Sequence, residues 1–110
     1  MTVKADETDA GALLDEGISL CRRARWREAI DPLQRAATID PSKAAVHYQL
    51  GEAYNQTDRL VEALDAYETA ARLESAHWRA MNRIGVVLDR LGRPQEATVA
   101  YQRAREAQRK

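Results

Sequence analysis

Phenylalanine is absent from this 110-residue chain, and cysteine occurs once. With Cys21 alone, the chain cannot form an internal disulfide or a zinc site built from several cysteines. The 17 Lys and Arg residues balance the 17 Asp and Glu residues, so no net charge favours nucleic acid or an anionic membrane. No apolar run reaches the roughly 18–20 residues that span a bilayer. We therefore expect neither nucleic-acid binding nor membrane insertion.

The beginning of the chain also lacks the features of a secretory signal. It reads MTVKADETDA, which is polar and acidic rather than basic and then apolar. We therefore expect a cytoplasmic protein, although a signal removed before this chain begins would leave the same sequence. We expect residues 1–9 to form a flexible acidic segment.

What the sequence does contain is a repeat of 34 residues, which occurs three times and covers nearly the whole chain. Self-similarity at such a period is typical of stacked repeat arrays and not of a globular enzyme. The repeats predict three units, at residues 10–43, 44–77 and 78–110. The small residues that keep this spacing are Gly17, Gly51, Gly85, Ala29, Ala63, Ala97, Ala36, Ala70 and Ala104.

Helical periodicity runs through every unit, whereas sustained strand-like alternation is missing. The pattern predicts helices at residues 10–23, 26–38, 43–56, 60–73, 77–90 and 94–107. Ser42 is placed to cap the third helix, and Thr57-Asp58 to form the turn after it. In the third unit Gly92 can end one helix and Pro94 can begin the next.

The repeated glycines lie inside these helices, where glycine costs about 0.5–1 kcal/mol relative to alanine. Three glycines at one register indicate that a neighbouring helix passes too close for a Cβ. The repeated alanines indicate the same for the second helix of each unit. Each unit is therefore predicted to be a tightly packed antiparallel helical hairpin, and successive hairpins stack.

The units resemble the tetratricopeptide repeat family, whose pattern is W-x2-L-G-x2-Y, then A-x3-F and P. The second unit reads His47-x2-Leu50-Gly51-x2-Tyr54 and then Ala63-x3-Tyr67. The opening tryptophan is replaced in all three units, and Glu16 stands where leucine is usual. The resemblance implies an all-α, right-handed α-solenoid of three antiparallel helix-turn-helix repeats, six helices in all. It also implies a concave groove lined by the first helix of each repeat.

No constellation of residues indicates catalysis. His47 and His77 lie 30 residues apart, without a neighbouring cysteine or a cluster of carboxylates. The repeated glycines lie within helices, so they do not form a phosphate-binding loop. His47 takes a position usually filled by a large residue, and we expect it in the core. We predict no enzyme activity, no cofactor and no metal site.

The first helix of each repeat has a buried face. We expect the residues on the neighbouring face of the same helix to line the groove. This surface is apolar in the first repeat, carries an aromatic residue in the second and is basic in the third. Leu14 and Ile18 are predicted to form an exposed apolar pair, which is typical of an interaction site. The alternative is that the amino-terminal segment covers them. The candidate groove residues are Leu14, Ile18, Cys21, Tyr48, Glu52, Asn55, Arg79, Asn82, Arg83, Val86 and Arg90.

Some members of the family hold the carboxyl terminus of a heat-shock chaperone in a clamp of Lys and Asn side chains. At the matching positions the first repeat has Leu14 and Ile18, and only Arg79 and Arg83 in the third repeat fit. The residues favour a ligand with one acidic group at Arg79 and Arg83, held by forked ion pairs. An apolar part of the ligand would lie at Leu14 and Ile18.

The last helix differs from its counterparts at the face toward a following repeat. Thr98 replaces Ile30 and Leu64, Arg105 replaces Ala37 and Ala71, and Ala107 replaces Ile39 and Leu73. A polar outer face is required at the end of an array. We therefore expect the third repeat to be self-capping. The alternative is that a partner helix or a second copy covers the remaining apolar surface at Val99 and Tyr101.

Two functions stay open from the sequence. The first is a protein–protein interaction module that binds a peptide or helix of a partner in its groove, as an adaptor, scaffold or co-chaperone. The second is a structural scaffold that forms homo-oligomers through its ends, since the acidic beginning and basic end of the chain attract each other. Nucleic-acid binding by the cluster Arg22, Arg23, Arg25 and Arg27 is less favoured because the net charge is zero.

Overall fold

Three antiparallel helix pairs follow one another along the chain in this computed structural model, which describes residues 9–109. The helices are α1 (Ala10–Arg22), α2 (Trp26–Ile39), α3 (Ala44–Gln56), α4 (Leu60–Leu73), α5 (Trp78–Arg90) and α6 (Pro94–Arg109). The all-α fold of six helices is confirmed for residues 9–109. The expected flexible segment falls on residues outside the described part, except Asp9. Asp9 caps α1, because its carboxylate accepts hydrogen bonds from the backbone N–H groups of Gly11 and Ala12.

The turn inside each repeat places one residue in the left-handed region, always at the same register. The three residues are Ala24 with φ 57°, Asp58 with φ 61° and Gly92 with φ 74°. The predicted turn at Thr57-Asp58 and the helix end at Gly92 are therefore confirmed. Glycine adopts this conformation freely, whereas Ala24 is strained there.

An arginine immediately before the second helix of each repeat pairs with a glutamate three residues later. The pairs are Arg25–Glu28, Arg59–Glu62 and Arg93–Glu96. All three are exposed, so each contributes little stability by itself. Because they recur at one register, they indicate a shared way of starting α2, α4 and α6 without a serine or aspartate cap.

Each repeated glycine packs against one side chain of the partner helix in its own repeat. An added Cβ would lie 2.4 Å from Leu33 at Gly17 and 2.5 Å from the Tyr67 ring at Gly51. At Gly85 the same atom would lie 2.6 Å from the Tyr101 ring. The six repeated alanines are buried beside these contacts. The close approach of the two helices in each hairpin therefore explains why the small residues recur.

Two local expectations for the loop between the first and second repeats are wrong. Lys43 and not Ser42 precedes α3, and its side chain makes no capping hydrogen bond. The Ser42 hydroxyl instead donates to the Asp40 carboxylate at 2.7 Å, a local loop interaction that competes with capping. His47 is only partly buried, and its Nε2 lies 2.9 Å from the Pro41 carbonyl oxygen, so it is not a core residue.

Successive repeats pack through the second helix of one and the first helix of the next. Ile30 is buried on this face of α2, and the Gln34 amide donates to the Tyr54 hydroxyl of α3 at 2.7 Å. At the matching face of α6, Thr98 and Arg105 are exposed.

One register at this face does not behave as expected. Ile39 and Leu73 are 44% and 41% exposed, although the sequence places them toward the following repeat. They are the last residues of α2 and α4.

Candidate partner-binding groove

The candidate groove residues divide into buried and accessible side chains. Leu14, Cys21 and Asn55 are buried, so they lie beneath the accessible surface of the groove. Leu14 is 9% exposed, so it is not half of an exposed pair. The helix that carries it, α1, packs against α3 as well as against α2. Ile18 is partly exposed, as the sequence indicates. Whether residues 1–8 cover Ile18 lies outside the described residues.

The other candidate residues remain accessible along α1, α3 and α5. Ile18 of α1 and Val86 of α5 supply partly exposed apolar surface. The remaining half-buried residues are Tyr48, Glu52, Asn82 and Arg83, and the exposed ones are Arg79 and Arg90. Apolar, aromatic and charged side chains therefore share one surface.

Glu52 joins three helices at the centre of this surface. Its carboxylate accepts a hydrogen bond of 2.5 Å from the Tyr67 hydroxyl of α4 and one of 2.9 Å from Nε of Arg83 of α5. Burial, followed by the bond to Glu52, raises the pKa of Tyr67 far above its usual range, so its hydroxyl stays protonated and donates. The charge of Arg83 is therefore already balanced within the protein.

Tyr48 forms an aromatic stack beside Glu52. Its ring lies 5.0 Å from the His77 ring at 28° and 5.8 Å from the Tyr67 ring at 57°. His77 precedes α5, and its Nδ1 accepts a hydrogen bond of 3.2 Å from the Ala80 N–H. Burial and the charge of Glu52 raise the pKa of Tyr48, while Arg83 opposes them. The Tyr48 hydroxyl therefore stays protonated at neutral pH.

Arg90 links the third repeat to the second at the other end of α5. Its Nη1 donates to the Asn55 carbonyl oxygen at 2.8 Å and to Asn55 Oδ1 at 2.5 Å, and its Nη2 pairs with Asp58. Much of its hydrogen-bonding capacity is therefore used inside the protein. Sequence reasoning missed this link and the Glu52–Arg83 pair. The opposite charges of Glu52 and Arg83, on the first helices of successive repeats, are a signal that could have indicated that pair.

Arg79 differs from the two paired arginines. Its guanidinium lies over the Trp78 ring, 4.9 Å from the ring centre, and it has no acidic partner among residues 9–109. Such a cation–aromatic contact orients the guanidinium without neutralising its charge.

Cys21 shows no sign of nucleophilic activation. Burial and the charge of Glu52 raise the pKa of its thiol to about 11. Thiolate is the reactive form of cysteine, so this thiol is expected to react slowly. Among residues 9–109 no three His, Cys, Asp or Glu side chains are placed to hold a metal ion. The helices of the same part of the chain are too short or too polar to cross a membrane.

Comparison with known proteins agrees with this architecture. The sequence model of the tetratricopeptide repeat family matches residues 14–75 and 62–110. The chain belongs to the tetratricopeptide repeat family. A crystal structure of MamA superimposes with a TM-score of 0.89 at 28% identity, over 94% of this chain and 60% of that one. MamA from Desulfovibrio magneticus RS-1 gives a TM-score of 0.87 at 21% identity, over 92% and 57%.

Similar tetratricopeptide repeats occur in much larger proteins. The barley (Hordeum vulgare) protein named probable UDP-N-acetylglucosamine–peptide N-acetylglucosaminyltransferase SPINDLY is 31% identical over 87 residues. Its tomato (Solanum lycopersicum) counterpart is 28% identical over 86 residues. The matches cover 79% and 78% of this chain but only 9% of either plant protein. They therefore concern the repeats alone.

Proposed function

We propose that this tetratricopeptide repeat chain is a protein–protein interaction module that binds a segment of a partner protein in its concave groove. The supporting observation is the contrast between two kinds of register. Packing registers repeat the same small residues in all three units, whereas one groove register holds Ile18, Glu52 and Val86. Packing alone does not require that variety, and a surface mixing apolar and charged groups suits a specific partner.

The ligand proposed is a peptide or helix with an apolar part and an acidic group. Ile18 and Val86 offer apolar contacts, and burial of apolar side chains supplies most of the affinity in such interfaces. Arg79 is the cation best placed for the acidic group, because Arg83 is already paired with Glu52. The Tyr48 hydroxyl is a donor between these ends.

Roles as an adaptor, a scaffold or a co-chaperone in the cytoplasm are consistent with this proposal. Homo-oligomers formed through the ends remain the alternative. Polar residues on the first and last helices of the array favour self-capping of the third repeat over this alternative. Glu16 of α1 is exposed at the register where Leu50 and Ile84 are buried, and Arg105 is exposed on α6.

Affinity capture from a cell lysate, with quantitative mass spectrometry, tests the groove. The groove variants are Ile18→Asp and Arg79→Glu, and each has a matched control on α4, at Val61→Asp and Arg72→Glu. Val61 is 72% exposed and Arg72 is exposed, so the controls make the same chemical changes outside the groove. Circular dichroism checks that all four variants remain helical.

We expect one or more proteins to be retained by the wild type and both controls and lost from the two groove variants. Losing a buried anchor or its ion pair costs an interface about 1–3 kcal/mol, or roughly 5- to 150-fold in affinity. Partners retained equally by all variants would exclude the groove as the site. Loss with Val61→Asp or Arg72→Glu would move the site to the outer surface.

A further inference from the structure

The third repeat contains a hollow of about 240 Å³ between α5 and α6. We call it the end socket, since it lies on the face that carries Arg105. It is lined by Trp78, Asn82, Tyr101, Ala104, Arg105 and Gln108. A hollow of this volume accommodates one large side chain.

The second repeat shows what this arrangement of helices can hold. The residues at the same registers are Ala44, Tyr48, Tyr67, Ala70, Ala71 and Glu74. There the ring of His77, from the following repeat, stacks on Tyr48 at 5.0 Å. Its Nε2 lies 3.7 Å from a carboxylate oxygen of Glu74, and its side chain is only 15% exposed. A planar ring therefore occupies the equivalent position within this same protein.

Four substitutions give the end socket a different chemistry. Asn82 stands where the second repeat has Tyr48, so the ring on which His77 stacks has no counterpart at that register. Trp78 stands where the second repeat has alanine, which adds an aromatic wall. Gln108 replaces a glutamate, which removes the negative charge that faces His77. Arg105 replaces another alanine, which adds a positive charge. The site therefore suits a ring beside an anion, where its counterpart suits an imidazole beside a carboxylate.

The positive charge of the socket is available for a ligand. Arg105 is exposed and has no acidic partner among residues 9–109. A carboxylate at the mouth of the socket could pair with Arg105, because arginine binds carboxylates through forked hydrogen bonds.

We propose that the end socket binds an aromatic residue at the carboxyl terminus of a partner protein. The ring would lie against Trp78 and Tyr101, and the terminal carboxylate would pair with Arg105. The site is separate from the proposed groove contacts except at Asn82. Either proposal can therefore fail without the other.

Nuclear magnetic resonance with a small probe tests the socket directly. The chain has two tryptophans, Trp26 and Trp78, so two indole N–H signals can be assigned by replacing each in turn. N-acetyl-L-phenylalanine carries the ring and the carboxylate, whereas its amide carries the ring alone. We expect saturable shifts at the Trp78 indole and at residues 104–108, with the amide binding about 3- to 10-fold more weakly. The Trp26 indole should not move.

Variants taken from the second repeat sharpen this test. Arg105→Ala restores the residue found at that register as Ala71, so folding should be retained. This variant should bind N-acetyl-L-phenylalanine only as weakly as the wild type binds the amide, and its affinity for the amide should equal that of the wild type. Arg103→Ala, an exposed arginine of α6 that does not line the socket, is the matched control and should have no effect.

Several results would overturn the proposal. One is equal binding of the acid and the amide by the wild type. Another is an equal loss with Arg103→Ala and Arg105→Ala. If the Trp78 signal does not shift when the probe is added, the socket is not a site for this ligand. If it shifts with protein concentration before any probe is added, a second copy of the chain occupies the socket.

Discussion

Replacing Gly51 by alanine tests the packing that sets the shape of the array. The new Cβ would lie 2.5 Å from two carbons of the Tyr67 ring, whereas carbons in contact are separated by about 3.5–4.0 Å. Tyr67 is fully buried and its hydroxyl is bound to Glu52, so the ring has little room to move. We take the upper end of the usual overpacking cost, about 3 kcal/mol. Alanine regains about 1 kcal/mol of helix propensity, which leaves a net loss of about 2 kcal/mol.

Gly85→Ala is the matched comparison, because the same contact is made with a different neighbour. There the Cβ would lie 2.6 Å from the ring of Tyr101, a partly exposed residue whose hydroxyl donates to the exposed Asp89 at 3.0 Å. This ring has more room to turn than the fully buried Tyr67. We expect the gain in helix propensity to offset most of the cost, with a net change of less than about 1 kcal/mol.

Thermal unfolding followed by circular dichroism measures both variants, and urea unfolding gives the change in free energy. Gly51→Ala should lower the melting temperature by about 8–16 °C, at 4–8 °C for each kcal/mol in a domain of this size. If Gly51→Ala is as stable as the wild type, close packing is not why glycine recurs. If Gly85→Ala loses as much as Gly51→Ala, burial of the neighbour does not control the cost.

Three further predictions concern single sites. Ala24→Gly should stabilise the protein by about 0.5–1 kcal/mol in urea unfolding, because glycine accepts the left-handed conformation that Gly92 adopts at the same register. Arg90→Met should cost about 1–3 kcal/mol, because the buried Asn55 side chain loses its partner. With a pKa of about 11, only about one Cys21 thiol in a thousand is ionised at pH 8, so a thiol-specific reagent should label it slowly until urea unfolds the chain.

Each of these predictions has a control and a contrary result. Ala37→Gly, within α2, should destabilise by about 1 kcal/mol, and a gain there would leave the effect at Ala24 unexplained. Arg72→Met removes an exposed arginine of α4, and an equal loss would show that the Asn55 contact is unimportant. Rapid labelling of Cys21 in the folded protein at pH 8 would contradict its burial and its raised pKa.

The helices could be predicted because the same helical pattern of apolar and small residues occurs in each of the three 34-residue repeats. Gly92 and Pro94 mark a helix end and a helix start by conformational preferences that act within a few residues. Ser42 was misassigned for a local reason too, since its hydroxyl bonds to Asp40 and such loop interactions compete with capping.

Burial and pairing between repeats could not be predicted in the same way. Leu14 is buried on α1, a helix that contacts α3 as well as α2. Such contact between repeats depends on how far each hairpin is rotated relative to the one before it. Arg83 and Arg90 looked like free groove cations, but their partners lie 31 and 35 residues away in sequence. Helical periodicity identifies the face of one helix, and it carries no information on the distance between repeats.

Hydrogen–deuterium exchange on a captured partner complex tests the central claim, that the concave surface binds the partner. The chain is compared alone and with the protein that the wild type retains from lysate. We expect the added protection in peptides from α1, α3 and α5, which carry Ile18, Tyr48 and Arg79. Protection confined to α2 and α4 would contradict the account, because it would place the partner on the outer surface.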